Sequence, residues 1–132
     1  MGKGKGYRTF TVQSEGRGWE ILVGKGSQDN DDLTFDVAKG PDVWLHVGGE
    51  TPGSHVVVRN PDGADVPRDV VEAAAGLAAW YSKARGAPFV KVDWCRKSDV
   101  FKPRGAPAGM VELKTFKTVK VAPWHPSPDG KD

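Results

Sequence analysis

The sequence predicts an α+β domain in which largely antiparallel strands pack around one Ala-rich helix spanning about residues 68–85. Three observations carry this prediction. Gly and Pro together make 27 of the 132 residues, about a fifth against a usual ~12%, so elements are short and turns frequent. Several short segments alternate apolar and polar residues with period 2, the mark of a strand with one buried face. Only one segment shows a helical period. A chain of this length forms one domain and buries roughly two-thirds of the surface its unfolded form exposes.

Taken in order, the elements begin with Tyr7-Arg-Thr-Phe-Thr-Val12, which alternates as a strand. Ser14-Glu-Gly-Arg-Gly18 supplies turn glycines, and Trp19-Glu-Ile-Leu-Val23 follows as the hairpin partner. Leu33-Thr-Phe-Asp-Val37, Val43-Trp-Leu-His-Val47 and His55-Val-Val-Val-Arg59 are three more expected strands. Asn60-Pro-Asp-Gly63 reads as a turn, because Pro presets φ and Gly accepts positive φ. Arg68 to Ala84 then places Val70, Ala74, Leu77 and Tyr81 on one helical face, with Pro67 at the start and Gly86 at the end. Phe89–Trp94, Met110–Thr115 and Lys117–Val121 are the remaining strands. The expected organisation is a flexible basic N-terminus (1–6), a folded domain (7–121) and a loose Pro-rich tail (122–132).

Composition removes whole classes of function. No apolar stretch is long enough to span a bilayer, and the N-terminus lacks an apolar segment of signal-peptide type, so a cytoplasmic protein is expected. A single cysteine, Cys95, excludes an internal disulfide and a cysteine-built zinc site. The net charge of +2 conceals an asymmetry: residues 83–120 hold 10 Lys/Arg against 3 Asp/Glu, while residues 1–82 hold 8 against 12. A local excess of that size suits a polyanion-binding face or, more plainly, a solvated basic surface.

Lys3-Gly-Lys-Gly6 and Gly24-Lys-Gly26 lack the spacing of phosphate-binding loops and read as turns or a flexible end. His46, His55 and His125 have no metal-ligand spacing, although His46 and His55 lie on strands that could bring them together. Ser54 has no nucleophile elbow around it. Asp29, Asp31 and Asp32 miss the calcium-loop pattern and read as a polar turn. Exposed beside Arg96 and Lys97, Cys95 would have a lowered pKa; as an incidental small apolar residue it would not. The most informative stretch is Trp94 to Gly109, where Arg96, Lys97, Lys102 and Arg104 interleave with Trp94 and Phe101. Such a loop holds cations at phosphate positions while an aromatic ring stacks on a base, unless its aromatics serve the core.

Six segments resemble the NFACT-R (formerly DUF814) RNA-binding domain of ribosome-quality-control proteins. They are Val23-Gly-Lys-Gly-Ser-Gln-Asp-Asn-Asp-Asp-Leu33, Asp42-Val-Trp-Leu-His46 and Pro52-Gly-Ser-His-Val56, then Glu72 to Lys83, Val100-Phe-Lys-Pro-Arg-Gly105 and Gly109-Met-Val111. Their order and approximate spacing fit over residues 7–121. The resemblance implies a non-catalytic domain, without cofactor or metal, that binds tRNA or rRNA in translation, ribosome quality control or tRNA processing or modification; DNA could suit the same surface. The companion domains of full-length members are not in this chain, so a standalone version is expected. Its expected RNA contacts are Lys83, Arg96, Lys97, Lys102 and Arg104 for phosphates, Phe101 or Trp94 for stacking, and Arg59. His46, Ser54 and His55 would offer hydrogen bonds. The rival readings are a small metal-dependent hydrolase or nuclease built on His46 and His55, and a protein-interaction adaptor.

Overall fold

The computed structural model describes residues 6–127. The basic N-terminus expected over 1–6 therefore lies outside the described residues except for Gly6, as does the end of the tail from residue 128. Eight strands form in order: β1 (Tyr7–Ser14), β2 (Arg17–Gly24), β3 (Val43–Val47), β4 (Val56–Val58), β5 (Val90–Arg96), β6 (Val100–Phe101), β7 (Glu112–Leu113) and β8 (Lys117–Val121). Helix α1 (Ser27–Asp32) runs into a π-helical turn (Leu33–Val37), and α2 spans Arg68–Trp80. Six strands make one antiparallel sheet in the order β1-β2-β4-β3-β5-β8, and β6 pairs with β7 separately.

The β1–β2 hairpin closes through Glu15 (φ 52°) and Gly16 (φ 78°). Positive φ at both turn residues gives the twist that matches the flanking strands. Gly63 also has positive φ, and its N–H bonds the Asn60 carbonyl at 3.0 Å. The turn read from Asn60-Pro-Asp-Gly63 is there.

Both faces of the sheet are covered, so its central strands are apolar throughout rather than alternating. On one face Ile21, Val23, Leu45, Val56 and Val58 pack against Val70, Ala74, Leu77 and Ala78 of α2. Full burial of each large aliphatic side chain is worth about 1.5–3 kcal/mol. On the other face Leu22, Trp44, Val57 and Cys95 pack beneath Leu33, Ala38 and Val100. This second cover explains the largest departure from expectation. Leu33–Val37 is helical, not a strand, because a five-residue alternation is too short to separate the two periods. Here the buried Leu33 and Thr34 must roof the Trp44 face. Asp29, Asp31 and Asp32 accordingly lie on or beside α1 rather than in a turn.

Three smaller differences follow from packing. Only Glu112–Leu113 of the expected Met110–Thr115 strand pairs, with β6. Helix α2 stops at Trp80, four residues early, because the chain after it turns to pair with Gly53 at Ser82. Residues 122–127, expected to be loose, lie on α2: Trp124 N–H bonds the Gly76 carbonyl at 3.0 Å, and His125 is buried. Gly76 makes this approach possible, since a Cβ there would stand 2.8 Å from Trp124 Cβ. No helix among the described residues is long and apolar enough to cross a membrane.

Candidate nucleic-acid interface

The loop from Arg96 to Met110 holds most of the expected phosphate contacts, and the structure engages several of them internally. Lys102 Nζ donates to Asp31 Oδ1 at 3.1 Å, to the Pro107 carbonyl at 2.6 Å and to the Met110 carbonyl at 2.9 Å. An ammonium has three protons, so all are taken. Asp31 also accepts the Gly109 N–H at 3.0 Å, where φ of 86° suits glycine. Arg96 donates to the Pro41 carbonyl at 2.8 Å. Arg59 pairs at 2.9 Å with Asp42, a carboxylate only 1% exposed that also accepts the N–H groups of Lys39 and Asn60. Lys97 sits 5.6 Å from the Phe35 ring. Trp94 packs partly into the core with Lys117 over it, Phe101 is 39% exposed, and Arg104 is exposed with no partner among the described residues.

His46 and His55 do meet, with ring centroids 5.5 Å apart. His55 is 2% exposed. Its Nε2 faces the Gly109 carbonyl at 3.1 Å, which only accepts, so Nε2 carries the proton. Its Nδ1 then accepts from the Thr34 hydroxyl at 2.9 Å, and that oxygen accepts from Trp44 Nε1 at 3.1 Å. Both ring nitrogens are thus engaged inside the fold. Burial first, then His46, lowers the His55 pKa to about 4, so the ring is neutral near pH 7. Among the described residues no cluster of three or more His, Cys, Asp or Glu side chains is placed to hold a metal ion. Cys95 is buried, and burial with Asp99 and Asp93 raises its thiol to about 12, so the exposed, activated thiol is not what forms.

A recess elsewhere gathers cations that the sequence reading left apart. Pro52–Ser54 pairs with the chain leaving α2: Ser54 N–H bonds the Tyr81 carbonyl at 3.1 Å and Lys83 N–H the Pro52 carbonyl at 3.0 Å. This brings Ser54, Ser82 and Lys83 together. The start of β1 contributes Arg8, the residue after β2 contributes Lys25, and Arg85 closes the ring around a recess of about 380 Å³. Among the described residues no carboxylate lines it. The Arg85 guanidinium lies 4.0 Å over the Trp80 ring and that of Arg8 lies 4.6 Å over Tyr81. Stacking on Trp80 orients the Arg85 guanidinium while leaving its edge N–H groups for an anion. Of these cations the sequence singled out only Lys83. Arg8 and Lys25 could have been placed beside each other from the hairpin, whose register pairs Tyr7 with Gly24.

A profile of the NFACT protein RNA binding domain matches residues 7–115. The Rqc2 homolog RqcH of Streptococcus suis is 43% identical over 103 residues, which are 78% of this chain and 18% of that protein. The Rqc2 homolog RqcH of Bacillus subtilis is 41% identical over 106 residues, 80% of this chain and again 18% of the relative. The chain thus spans under a fifth of the length of these relatives. A solved structure, the C-terminal of the fibronectin/fibrinogen-binding protein from Streptococcus suis, is 36% identical with a TM-score of 0.81. It covers 98% of this chain and 48% of that one.

Proposed function

Because the chain belongs to the NFACT RNA-binding domain family, we propose that it binds RNA without catalysing a reaction, holding phosphates in the recess formed by Lys25, Lys83 and Arg85 with Arg8. The observation that carries this is the charge of the recess: four cations and no carboxylate among the described residues that line it. Ser54 lies in the same recess and supplies a hydroxyl within the set. From there a strand passes over Pro52 and Gly53 and across the adjoining cleft toward the loop at Pro107–Met110. Along that path Arg104, Lys97 and Phe101 are outer contacts. Lys102, Arg59 and His55 act within the fold. The similarity to RqcH-named proteins supports tRNA or rRNA as the ligand, in the cytoplasm and in ribosome quality control.

The test is a salt titration with a tRNA-sized transcript. Three to four phosphate contacts give a slope of log affinity against log salt of roughly −2 to −4. The Lys83→Ala/Arg85→Ala double variant should keep its melting temperature and lower the slope by about one unit per lost contact. A flat profile in the parent, or an unchanged slope in the double variant, overturns the reading.

A further inference from the structure

On the other side of the Pro52–Gly53 strap from the cationic recess lies a larger cleft of about 770 Å³, and its chemistry is the reverse. Its floor is aromatic. Trp44 is buried there with the His46 ring 6.1 Å away and nearly parallel to it, at 24°. Phe116, 51% exposed, stands in the lining. Glu50, Asp93 and Glu112 supply carboxylates, and no Lys or Arg lines the cleft among the described residues. Burial lowers the His46 pKa against the opposing effects of the Val47 and Gly53 backbone and of Asp93, so the imidazole adds no positive charge at neutral pH. A phosphate is repelled from such a site; a flat ring with N–H donors on its edge is attracted.

We infer that this cleft receives an unpaired nucleobase bearing an exocyclic amino group, stacked against Phe116 with its amino edge on Asp93. The inference rests on the RNA-binding reading above and adds to it a preference among bases. Asp93 is held for this role: its Oδ1 accepts the Thr118 hydroxyl at 2.8 Å, and its Oδ2 has no hydrogen-bond partner among the described residues. A carboxylate accepts from the N4 amino group of cytosine, whereas uracil presents a carbonyl at the same position. The wall at Pro107–Met110 is fixed in advance by Lys102 and Asp31, so no loop has to be ordered when the base enters. The shared strap sets the phosphate site and the base site side by side, as one strand would require.

Oligo(C) and oligo(U) of equal length, which differ at that amino position, provide the test at fixed low salt. The parent should bind oligo(C) about 5- to 100-fold more tightly. Asp93→Asn keeps the Thr118 contact through its amide oxygen and turns an NH₂ toward the cleft, so the preference for C should collapse while oligo(U) affinity holds. Phe116→Ala should weaken oligo(C) binding about 5- to 100-fold with an unchanged salt slope, as loss of stacking does. Equal binding of C and U by the parent, with Phe116→Ala unaffected, overturns the base site; binding that still depends on Lys83 and Arg85 then leaves the RNA reading standing. Absence of binding to either oligonucleotide and to the transcript overturns both.

Discussion

Lys102 and Lys83 both lie outside the helices and strands, within the most basic stretch of the chain. Lys102 gives every ammonium proton to Asp31, Pro107 and Met110. Lys83 is exposed, among cations, with no acid beside it in the recess. The same contrast separates their two regions. In the 96–110 loop Arg96 and Lys102 fasten the chain to itself, and in the recess Lys25, Lys83 and Arg85 are exposed, with Arg85 laid over the Trp80 ring. Density of cations along a sequence therefore measures neither region's affinity for an anion. What decides is whether a carboxylate or carbonyl already occupies the donors, because a donor already satisfied gains little from a phosphate.

The contrast is tested most severely at His55, the buried anchor of the loop. His55→Ala removes the hydrogen bonds to Gly109 and Thr34 and leaves a cavity, for an expected loss of about 3–5 kcal/mol by chemical denaturation. The same residue gives the parent a pH signature. Its folded pKa, about 4, lies below the ordinary 6.5, so the unfolded chain takes up the proton first. Its contribution is complete above pH 6.5 and falls as pH drops toward 4, by about 3 kcal/mol in total. His55→Gln should flatten that segment of the stability profile. A histidine free to serve RNA would leave both measurements near those of the parent.

Next in size is Lys102→Met. Losing a charged donor to two carbonyls and Asp31 should cost about 2–3 kcal/mol of stability. At a temperature where the variant is folded, its RNA salt slope should match the parent's. Lys83→Ala should do the opposite, with stability within about 0.5 kcal/mol and a shallower slope. If Lys102→Met lowers the slope as Lys83→Ala does, the two regions are one surface.

Sequence pattern reached the elements whose geometry is local. The hairpin at Glu15-Gly16, the turn at Gly63 and the strand around Val43–Val47 all follow from turn chemistry and periodicity. The α2 face of Val70, Ala74 and Leu77 is buried as its spacing implied. What escaped depends on tertiary contact. Leu33–Val37 alternates like a strand but is helical over Trp44. Residues 122–127 carry Pro123 and Pro126 and yet are seated on α2 by the absence of a Cβ at Gly76. For the proposed interface, Lys83 and Ser54 were legible from motifs, whereas Arg8, Lys25 and Arg85 join them only through β1–β2 pairing and the Gly53–Ser82 bridge. The commitment of Lys102 was not readable at all, since Asp31 is 71 positions away in the chain.

The smallest expected effects come from the tip of the loop, and they locate the border between the two regions. Phe101 is 39% exposed on a two-residue strand opposite Glu112. Truncating a fully buried Phe costs about 3–5 kcal/mol through its cavity, so Phe101→Ala should cost well under that and leave melting little changed. If Phe101 stacks on RNA, the same variant loses about 1–3 kcal/mol of binding with the salt slope intact. Arg104, exposed and without a partner among the described residues, should alter stability by no more than about 0.5 kcal/mol when replaced by Ala. Its effect on binding is at most about one unit of salt slope, the share of a single phosphate. A strand that runs from the recess across the cleft to this tip makes both variants measurable; a strand confined to the recess makes both silent. Titrating Phe101→Ala and Arg104→Ala with oligonucleotides of increasing length separates the cases, because only the longer strand reaches the tip and only then should the variants diverge from the parent.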